Sequence, residues 1–217
     1  MRRNPFALYL VLWLGNRWLR RLKIIRAAGD KYSSFAELQA HEKDSSYSIQ
    51  LVDRGSPITI MAIHGGGIEP GTSQLTKALA GTEFNYYCFN ATKLKNNWDL
   101  HITSDRFDEP QALALANKSK FIVTLHGCMG RGTVAYTGGG LATQLRQSIE
   151  NKLENAGIAS RPHPIFNGRS SANICNQGQQ LGLQLELTPA LRLSPLAYTK
   201  RRKFVETMRK LLQELAC

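Results

Sequence analysis

The sequence predicts an α/β fold in which helices flank a single mixed or mostly parallel sheet. Two nearly continuous apolar runs, ITIMAI at 58–63 and KFIVTL at 120–125, are typical of strands that are buried on both faces. Apolar residues also recur every four positions over 141–153, which is the spacing of one helix face. Because such strands and helices alternate along the chain, we expect helices to pack on both sides of the sheet.

The predicted strands follow one another from residue 46 onward. YSIQLV and LQLEL have the alternating apolar pattern of strands, and FNYYCFN is rich in aromatic residues. The segment 161–166 contains two prolines, which lack the amide donor that a central strand needs, so we expect an edge strand there. The predicted strands therefore span 47–52, 58–63, 84–90, 120–125, 161–166 and 183–187.

The predicted helices begin and end at residues with matching backbone preferences. Thr72 or Ser73 is a candidate cap for a helix that Gly81 ends. Pro110 suits the first position of a short helix, where its missing amide hydrogen costs nothing. The predicted helices span 72–80, 110–117, 141–157 and a C-terminal segment that begins near residue 199.

Charge is distributed unevenly over the 217 residues, which suit one domain of 30–217 preceded by an extension of 1–29. The net charge of +12 comes from seven Lys or Arg in 1–29 and from a net +5 in 192–217. Residues 30–191 contain 14 basic and 14 acidic residues and are neutral. Because a nucleic-acid groove is usually basic through the folded body, we expect no nucleic-acid partner.

The N-terminal extension is open to three interpretations. Its apolar run at 6–14 has nine residues, too few to cross a bilayer as a helix, and suits a secretory signal only at its front end. Tryptophans among basic residues also suit a helix on an anionic membrane surface, and the third interpretation is an appendage without a role in the chemistry. The four cysteines lack any C-x-x-C spacing, so we expect buried free thiols and favour a cytoplasmic location.

Candidate metal ligands stand where three buried strands end. His64 follows ITIMAI, His126 follows KFIVTL, and Glu186 lies near the end of LQLEL. The glycines at 65–67 allow a sharp turn that can bring Glu69 back toward His64. Open α/β sheets place their sites at the carboxyl ends of strands, and imidazole and carboxylate groups are zinc ligands in hydrolytic sites.

Each of these residues also has a simpler interpretation. His64 or His126 alone suits a hydrogen-bonded histidine beside a turn, and Glu186 suits a solvent-facing residue that alternates with leucines. A phosphate-binding glycine loop is disfavoured, since the Gly-Lys-Ser/Thr ending is missing and Glu69 would repel phosphate. The occurrence of all four residues at strand ends favours the metal site.

Four blocks of the sequence resemble the phage-type poly-γ-glutamate hydrolases, which are relatives of the zinc carboxypeptidases. The resemblance covers about 33–215 and rests on HGGGIE at 64–69, HITSDRFDEP at 101–110, LHG at 125–127, and NICN at 173–176 followed by LQLE at 183–186. It implies a carboxypeptidase-like fold with one zinc ion per chain, held by His64, Glu69 and His126. It also implies that Glu186 is the general base. In carboxypeptidases two residues separate the first two ligands, whereas four do so here.

Several further residues are candidates for substrate binding. Poly-γ-glutamate carries one free α-carboxylate per residue, and arginine binds carboxylates with a two-pronged hydrogen bond. We therefore expect some of the following residues to contact substrate, although each arginine also suits a plain surface position and each asparagine a turn: Arg131, Arg169, Arg192, His101, Asn173 and Asn176. Tyr136, beside the glycines at 138–140, is a candidate for a mobile lid.

The function predicted from these features is zinc-dependent hydrolysis of γ-glutamyl amide bonds in poly-γ-glutamate or another anionic amide, by a monomer. One alternative is a zinc amidase that acts on peptidoglycan peptide or an N-acyl amino acid. The alternative of another class is a non-catalytic binder of nucleic acid or a membrane surface, which would use the basic ends of the chain.

Overall fold

Seven strands and six α-helices lie within residues 29–216, the part of the chain that the computed structural model describes. The strands are β1 (Tyr47–Val52), β2 (Ile58–Gly66), β3 (Asn85–Ala91), β4 (Phe121–Gly127), β5 (Val134–Gly138), β6 (Ala159–Pro162) and β7 (Leu183–Leu187). The helices are α1 (Phe35–His41), α2 (Thr72–Ala80), α3 (Pro110–Lys118), α4 (Thr143–Asn155), α5 (Pro189–Leu193) and α6 (Tyr198–Ala216).

All seven strands form one sheet in the order β1-β3-β2-β4-β7-β5-β6. The central strands β3, β2, β4 and β7 run parallel to one another. β1 is antiparallel to β3, whereas on the other side β5 is antiparallel to β7 and pairs in parallel with the edge strand β6. The sheet is therefore mixed, and the carboxyl ends of its four parallel strands meet at one edge, where α/β proteins bind their ligands.

Two apolar layers cover the faces of the sheet. Ile58 and Ile60 of β2 pack into one layer with α2, α4 and α6, including the fully buried Phe204. Met61 and Ile63, which point the other way, pack into a second layer with residues of α1 and α3. Because both faces are covered, the central strands carry apolar residues at nearly every position, and this is the pattern that predicted them.

β5 is the strand that the sequence pattern does not reveal. Its five residues, VAYTG, are bounded by glycine and are too few to establish a period. Tyr136 lies within this strand, paired with Glu186 of β7. The prediction that Tyr136 and the following glycines form a mobile lid is therefore wrong, since the sheet holds the tyrosine in place.

Among the element boundaries that differ from those predicted, two have clear local reasons. Gly71, with a φ of 93°, is the N-cap of α2, so neither Thr72 nor Ser73 has that role; the Thr72 hydroxyl donates to the carbonyl of Glu69 at 2.8 Å instead. The edge strand β6 ends at Pro162, because the chain turns there. The next residue, His163, accepts hydrogen bonds from the backbone of Ile165 and Phe166.

Some expectations concern residues outside 29–216. The interpretations of the N-terminal extension fall there almost entirely, as does Cys217. Within the described part of the chain no helix combines the length and apolar character needed to cross a membrane. Cys88 and Cys175 are buried free thiols, as expected, and Cys128 is buried as well.

Candidate active site

Three buried side chains meet at the carboxyl ends of β2 and β4. His64 and His126 are among the last residues of these strands, and Glu69 lies in the loop after β2. Nδ1 of His64 lies 3.1 Å from Nδ1 of His126. The Glu69 carboxylate oxygens lie 3.5 Å from His64 Nδ1 and 3.7 Å from His126 Nδ1. Two nitrogens and a carboxylate therefore converge on one point, as the strand-end argument predicts.

The glycines after His64 bring Glu69 into this cluster. Gly66 has a φ of 63°, and a Cβ atom there would stand 2.3 Å from the carbonyl oxygen of Ala91. The next amide, that of Gly67, donates to the same carbonyl at 2.9 Å, so the turn lies tightly against β3. The backbone then folds back, and the amide of Glu69 donates to the carbonyl of His64 at 2.9 Å.

Hydrogen bonds orient the side chains of His64 and Glu69 within the cluster. Nε2 of His64 donates to the carbonyl of Ile102 at 2.8 Å, which leaves the Nδ1 lone pair facing the cluster. The amide of Gly127 donates to Oε2 of Glu69 at 2.8 Å. Metal-binding histidines commonly donate their second nitrogen to a carbonyl in this way, because the bond selects the tautomer that can coordinate.

The electrostatics of the cluster keep the carboxylate charged. Burial on its own raises the pKa of Glu69, but the neighbouring His64 and His126 outweigh it and hold the pKa well below its usual range. Burial lowers the pKa of His64, while the Glu69 charge and the bond to Ile102 raise it, with a net rise. An anionic carboxylate beside two imidazoles is a donor set suited to a divalent cation.

The separation of the donor atoms also fits a small ion. Nitrogen and oxygen ligands about 2.0–2.2 Å from a tetrahedral zinc lie roughly 3.3–3.5 Å apart. The three groups can present one ligand atom each within 4.8 Å of one another. His64, Glu69 and His126 could therefore hold a metal ion, in the places where the sequence predicts the ligands.

Glu186 lies beside the cluster on the neighbouring strand. In β7 it is in register with His126 of β4, so both side chains leave the same face of the sheet. Leu183, Leu185 and Leu187 point into the opposite apolar layer, and Gln184 Nε2 donates to Glu186 Oε1 at 3.2 Å. Only 6% of Glu186 is exposed, which contradicts a solvent-facing strand residue.

A cavity of about 500 Å³ opens over these four residues. His101 lines it with its ring stacked between His64 and Trp98, at centroid distances of 4.0 and 4.5 Å. Nδ1 of His101 lies 2.6 Å from Oδ1 of Asp30. Burial, followed by the nearby His64, lowers the pKa of His101 to about 4 despite Asp30, so the ring is neutral near pH 7. The remaining lining comes from the segments 103–106 and 165–170, with Asn173 and Gln184.

Asp30 and Trp98 are site residues that the sequence pattern does not reveal. Besides His101, Asp30 accepts bonds from the backbone amide of Thr103 at 2.7 Å and from the Arg106 guanidinium at 2.6 Å. It stands 71 residues from His101 in the chain, so no local motif connects them. The only sequence signal was the abrupt change of composition at Asp30, which marks the start of the domain.

The two predicted asparagines have different places. Asn173 lines the cavity, and its Nδ2 donates to Gln184 Oε1 at 3.0 Å, so it supports the residue that holds Glu186. Asn176 binds backbone instead: its Nδ2 donates to the carbonyls of Gly168 and Ser170, each at 2.8 Å. Asn176 therefore shapes the loop that forms one wall of the cavity.

The three predicted arginines are also placed differently. Arg169 lines the cavity from an exposed loop. Arg192 is buried, and its guanidinium donates to the carbonyls of Leu187, at 3.0 Å, and Pro70. Arg131 is exposed in the loop between β4 and β5 and is not part of the cavity lining. Of the three, Arg169 has the position of a substrate contact.

Comparison with known proteins identifies the family. The family model of poly-gamma-glutamate hydrolase matches residues 32–214 of this chain. The chain belongs to the poly-γ-glutamate hydrolase family. Its resemblance to that family, which rested on four sequence blocks, is thereby confirmed.

Two relatives from Bacillus subtilis (strain 168) match most of the chain. YndL is 36% identical over 172 residues, which are 77% of this chain and 67% of YndL. The SPbeta prophage-derived protein YoqZ is 34% identical over 169 residues, which are 76% of this chain. The match spans 61% of YoqZ, less than two thirds of its length.

Solved structures confirm the fold. Zinc-free YndL superimposes with a TM-score of 0.79 at 32% identity, over 87% of this chain and 100% of that one. A bacteriophage poly-γ-glutamate hydrolase gives 0.77 at 27% identity, over 86% and 98%. N-formylglutamate amidohydrolase from Ralstonia eutropha JMP134 gives 0.52 at 12% identity, over 79% and 98%, and shares the fold. The predicted α/β, zinc carboxypeptidase-like fold is correct.

Proposed function

We propose that this chain is a zinc-dependent hydrolase that cleaves γ-glutamyl amide bonds of poly-γ-glutamate. The observation that carries the proposal is the convergence of His64, Glu69 and His126 on one point, with Glu186 beside them on the next strand. Membership of the poly-γ-glutamate hydrolase family supports the substrate. The resemblance to zinc-free YndL supports the choice of metal, since that description implies a zinc-bound form of the relative.

The residues of the site divide the work of amide hydrolysis. His64, Glu69 and His126 would hold the zinc ion, which would supply Lewis acidity for the attack of water on the scissile amide. Glu186 accepts a proton from the attacking water and delivers it to the leaving nitrogen. Gln184 donates to Oε1 of Glu186 and keeps the carboxylate turned toward the cavity. Asn173, bonded in turn to Gln184, fixes that amide.

Cationic side chains at the cavity suit a polyanionic substrate. Arg106 and Arg169 both line it, and both are exposed enough to meet a carboxylate from solvent. Arg106 is held by Asp30, so its charge is partly offset, whereas the side chain of Arg169 has no hydrogen bond within the described residues. We assign Arg169 to the recognition of an α-carboxylate of the substrate.

Metal content and turnover, measured together, test the proposal. We expect one zinc per chain by elemental mass spectrometry in the wild type and its loss in His126→Ala. Glu186→Gln should keep the metal and reduce kcat on poly-γ-glutamate by about 10²–10⁴-fold, since it removes only the proton acceptor. Glu154→Gln, at an exposed position of α4, is the matched control and should change neither quantity.

Three outcomes would contradict the proposal. Full activity of the metal-free wild type would show that the reaction needs no zinc. An undiminished kcat in Glu186→Gln would show that Glu186 is not the general base. Turnover of an N-acyl amino acid or a peptidoglycan peptide, with none on poly-γ-glutamate, would keep the chemistry but replace the substrate.

A further inference from the structure

A second, smaller cavity of about 370 Å³ lies next to the active-site cavity. It is lined by the segment 139–143, by Arg146 and Leu181, and by Arg169. Arg169 also lines the active-site cavity, so the two share one wall. We propose that this second cavity is a subsite for an α-carboxylate of a distant glutamyl unit of the substrate chain, bound by Arg146; the inference rests on the function proposed above.

Arg146 is the first observation that points to an anion. It is 8% exposed, and its side chain makes no hydrogen bond to any residue that the structure describes. Its Nε is buried without a hydrogen-bond partner among the described residues, and burying a donor in this way is costly. Arg146 therefore has the donors and the charge for a ligand that the protein itself does not supply.

The charge of Arg146 is partly offset by an ion pair with Glu150. The carboxylate of Glu150, one turn further along α4, lies 3.8 Å from Nε of Arg146, beyond hydrogen-bond distance. Oε1 of Glu150 also accepts a hydrogen bond from the hydroxyl of Thr137. Glu150 can thus orient Arg146 without accepting a hydrogen bond from it. Because Arg169 also lines the cavity, the cavity keeps a net positive charge.

The beginning of α4, the helix that also carries Arg146, adds a second feature to the subsite. Ala142 is the N-cap and offers no side-chain acceptor, and the first turn contains no acidic residue. The first amide groups of a helix have no partner within it, and the helix dipole adds positive potential at this end. A 13-residue helix that begins uncapped at a cavity lined by two arginines is suited to a carboxylate.

The chemistry of the substrate explains why such a subsite is useful. Poly-γ-glutamate repeats the same carboxylate at every unit, so one chain can reach a second cationic cavity while its scissile bond lies at the metal. A subsite remote from the reacting atoms strengthens binding of the ground state and the transition state alike. It therefore lowers KM for long chains and leaves kcat unchanged.

The test compares Arg146→Met with Lys152→Met in the full-length, zinc-loaded enzyme. Lys152 is on the same helix, and its loss removes the same charge away from the cavity. We expect Arg146→Met to raise KM for poly-γ-glutamate about tenfold and to leave kcat within about twofold, the change from removing one buried charged contact. Lys152→Met should match the wild type. A KM within twofold of the wild type in folded Arg146→Met would overturn the subsite.

Two further arms keep the result interpretable. If Arg146→Met fails to fold, Arg146→Lys, which keeps the charge but loses the fork, should still raise KM threefold or more; an unchanged KM would overturn the proposal. If the wild type does not cleave poly-γ-glutamate, the proposed function fails, and equilibrium binding of end-labelled polymer decides the subsite. Equal binding of the polymer by wild type and Arg146→Met would refute the subsite. It would also be refuted if Arg146→Met lost only the binding of inorganic phosphate and still bound the polymer like the wild type.

Discussion

Arg192 connects the chain segments next to Glu69 and His126 with the end of β7. Its guanidinium donates to the carbonyl of Leu187 at the end of β7 and to that of Pro70, directly after Glu69. It also lies over the backbone of Gly127 at the end of β4, where a Cβ atom would stand 2.6 Å from the guanidinium carbon. The side chain therefore holds three strand-end segments together, which makes it a positioning residue.

We expect Arg192→Lys to destabilise the protein by about 1–3 kcal/mol. A lysine keeps the charge but cannot bond both carbonyls from one planar group, so one buried acceptor loses its donor. Urea unfolding followed by circular dichroism measures the change. Arg202→Lys, at an exposed position in α6, should leave the midpoint of unfolding unchanged. Equal midpoints for the two variants would show that the Arg192 contacts contribute nothing.

Individual residues also show where sequence reasoning succeeds. The proximity of His64, Glu69, His126 and Glu186 could be predicted because parallel strands bring their carboxyl ends together, whatever the distance along the chain. Trp98 could not, because its role depends on a ring stack built from separate loops. Arg192 was predicted at the site, but a sequence does not show that backbone carbonyls already occupy its guanidinium.

At the scale of elements, α6 contributes more buried residues than any other element to the apolar layer that contains Ile58 and Ile60. Phe204 is fully buried there, with Met208 and Leu211 following on the same face of α6. The helix spans Tyr198–Ala216 and its charged residues lie on the other face. Its stability in the protein depends on this apolar face, since surface charges add little.

Phe204→Ala should reduce the free energy of unfolding by about 3–5 kcal/mol. The substitution removes buried apolar surface and leaves a cavity that the sheet cannot fill. Denaturant unfolding gives the difference, and Leu196→Ala serves as the control, since Leu196 is 99% exposed. The control should change stability by less than about 0.5 kcal/mol. A comparable loss in both variants would mean that α6 is not packed as described.

Elements with a strong period are predictable, and short elements at a sheet's margin are not. β1 and β7 have the predicted boundaries, Tyr47–Val52 and Leu183–Leu187, because turns bound their alternating residues. α1 has seven residues and β5 has five, fewer than are needed to distinguish a period from chance. Such elements form because the sheet and the apolar layers offer them a surface.

At the scale of the whole molecule, Glu42 connects the first described residues to Lys93, which follows β3. Its carboxylate accepts hydrogen bonds from Tyr32 at 2.7 Å, from Lys31 at 3.3 Å and from Lys93 at 3.0 Å. Burial raises the pKa of Glu42, but these three donors outweigh it and lower the pKa to about 2. Contacts between residues far apart in the chain thus depend on one ionised carboxylate.

We expect the free energy of unfolding to decrease as the pH falls, partly because Glu42 becomes protonated. The pKa of Glu42 is near 4.5 in the unfolded chain and about 2 in the folded one. Its contribution is therefore complete above about pH 4.5 and is lost as the pH falls toward 2. Glu42→Gln should remove about 1–2 kcal/mol at pH 7 and flatten this part of the stability curve.

Urea midpoints between pH 7 and pH 2.5 measure this dependence. Glu154→Gln, an exposed glutamate without an ion pair among the described residues, should keep the slope of the wild type. A wild-type slope in Glu42→Gln would place the acid sensitivity elsewhere in the molecule.

The separation of the donors along the chain has a consequence for folding. His64 and His126 are 62 residues apart, and their strands become neighbours only when β2 and β4 have paired. A chain in which β2 and β4 have not paired therefore offers an ion His64 and Glu69 from one turn, without His126. A metal ion bound by these three residues would therefore favour the fully paired sheet, and at 1,000 times its dissociation constant it would add about 4 kcal/mol to the stability of that folded state.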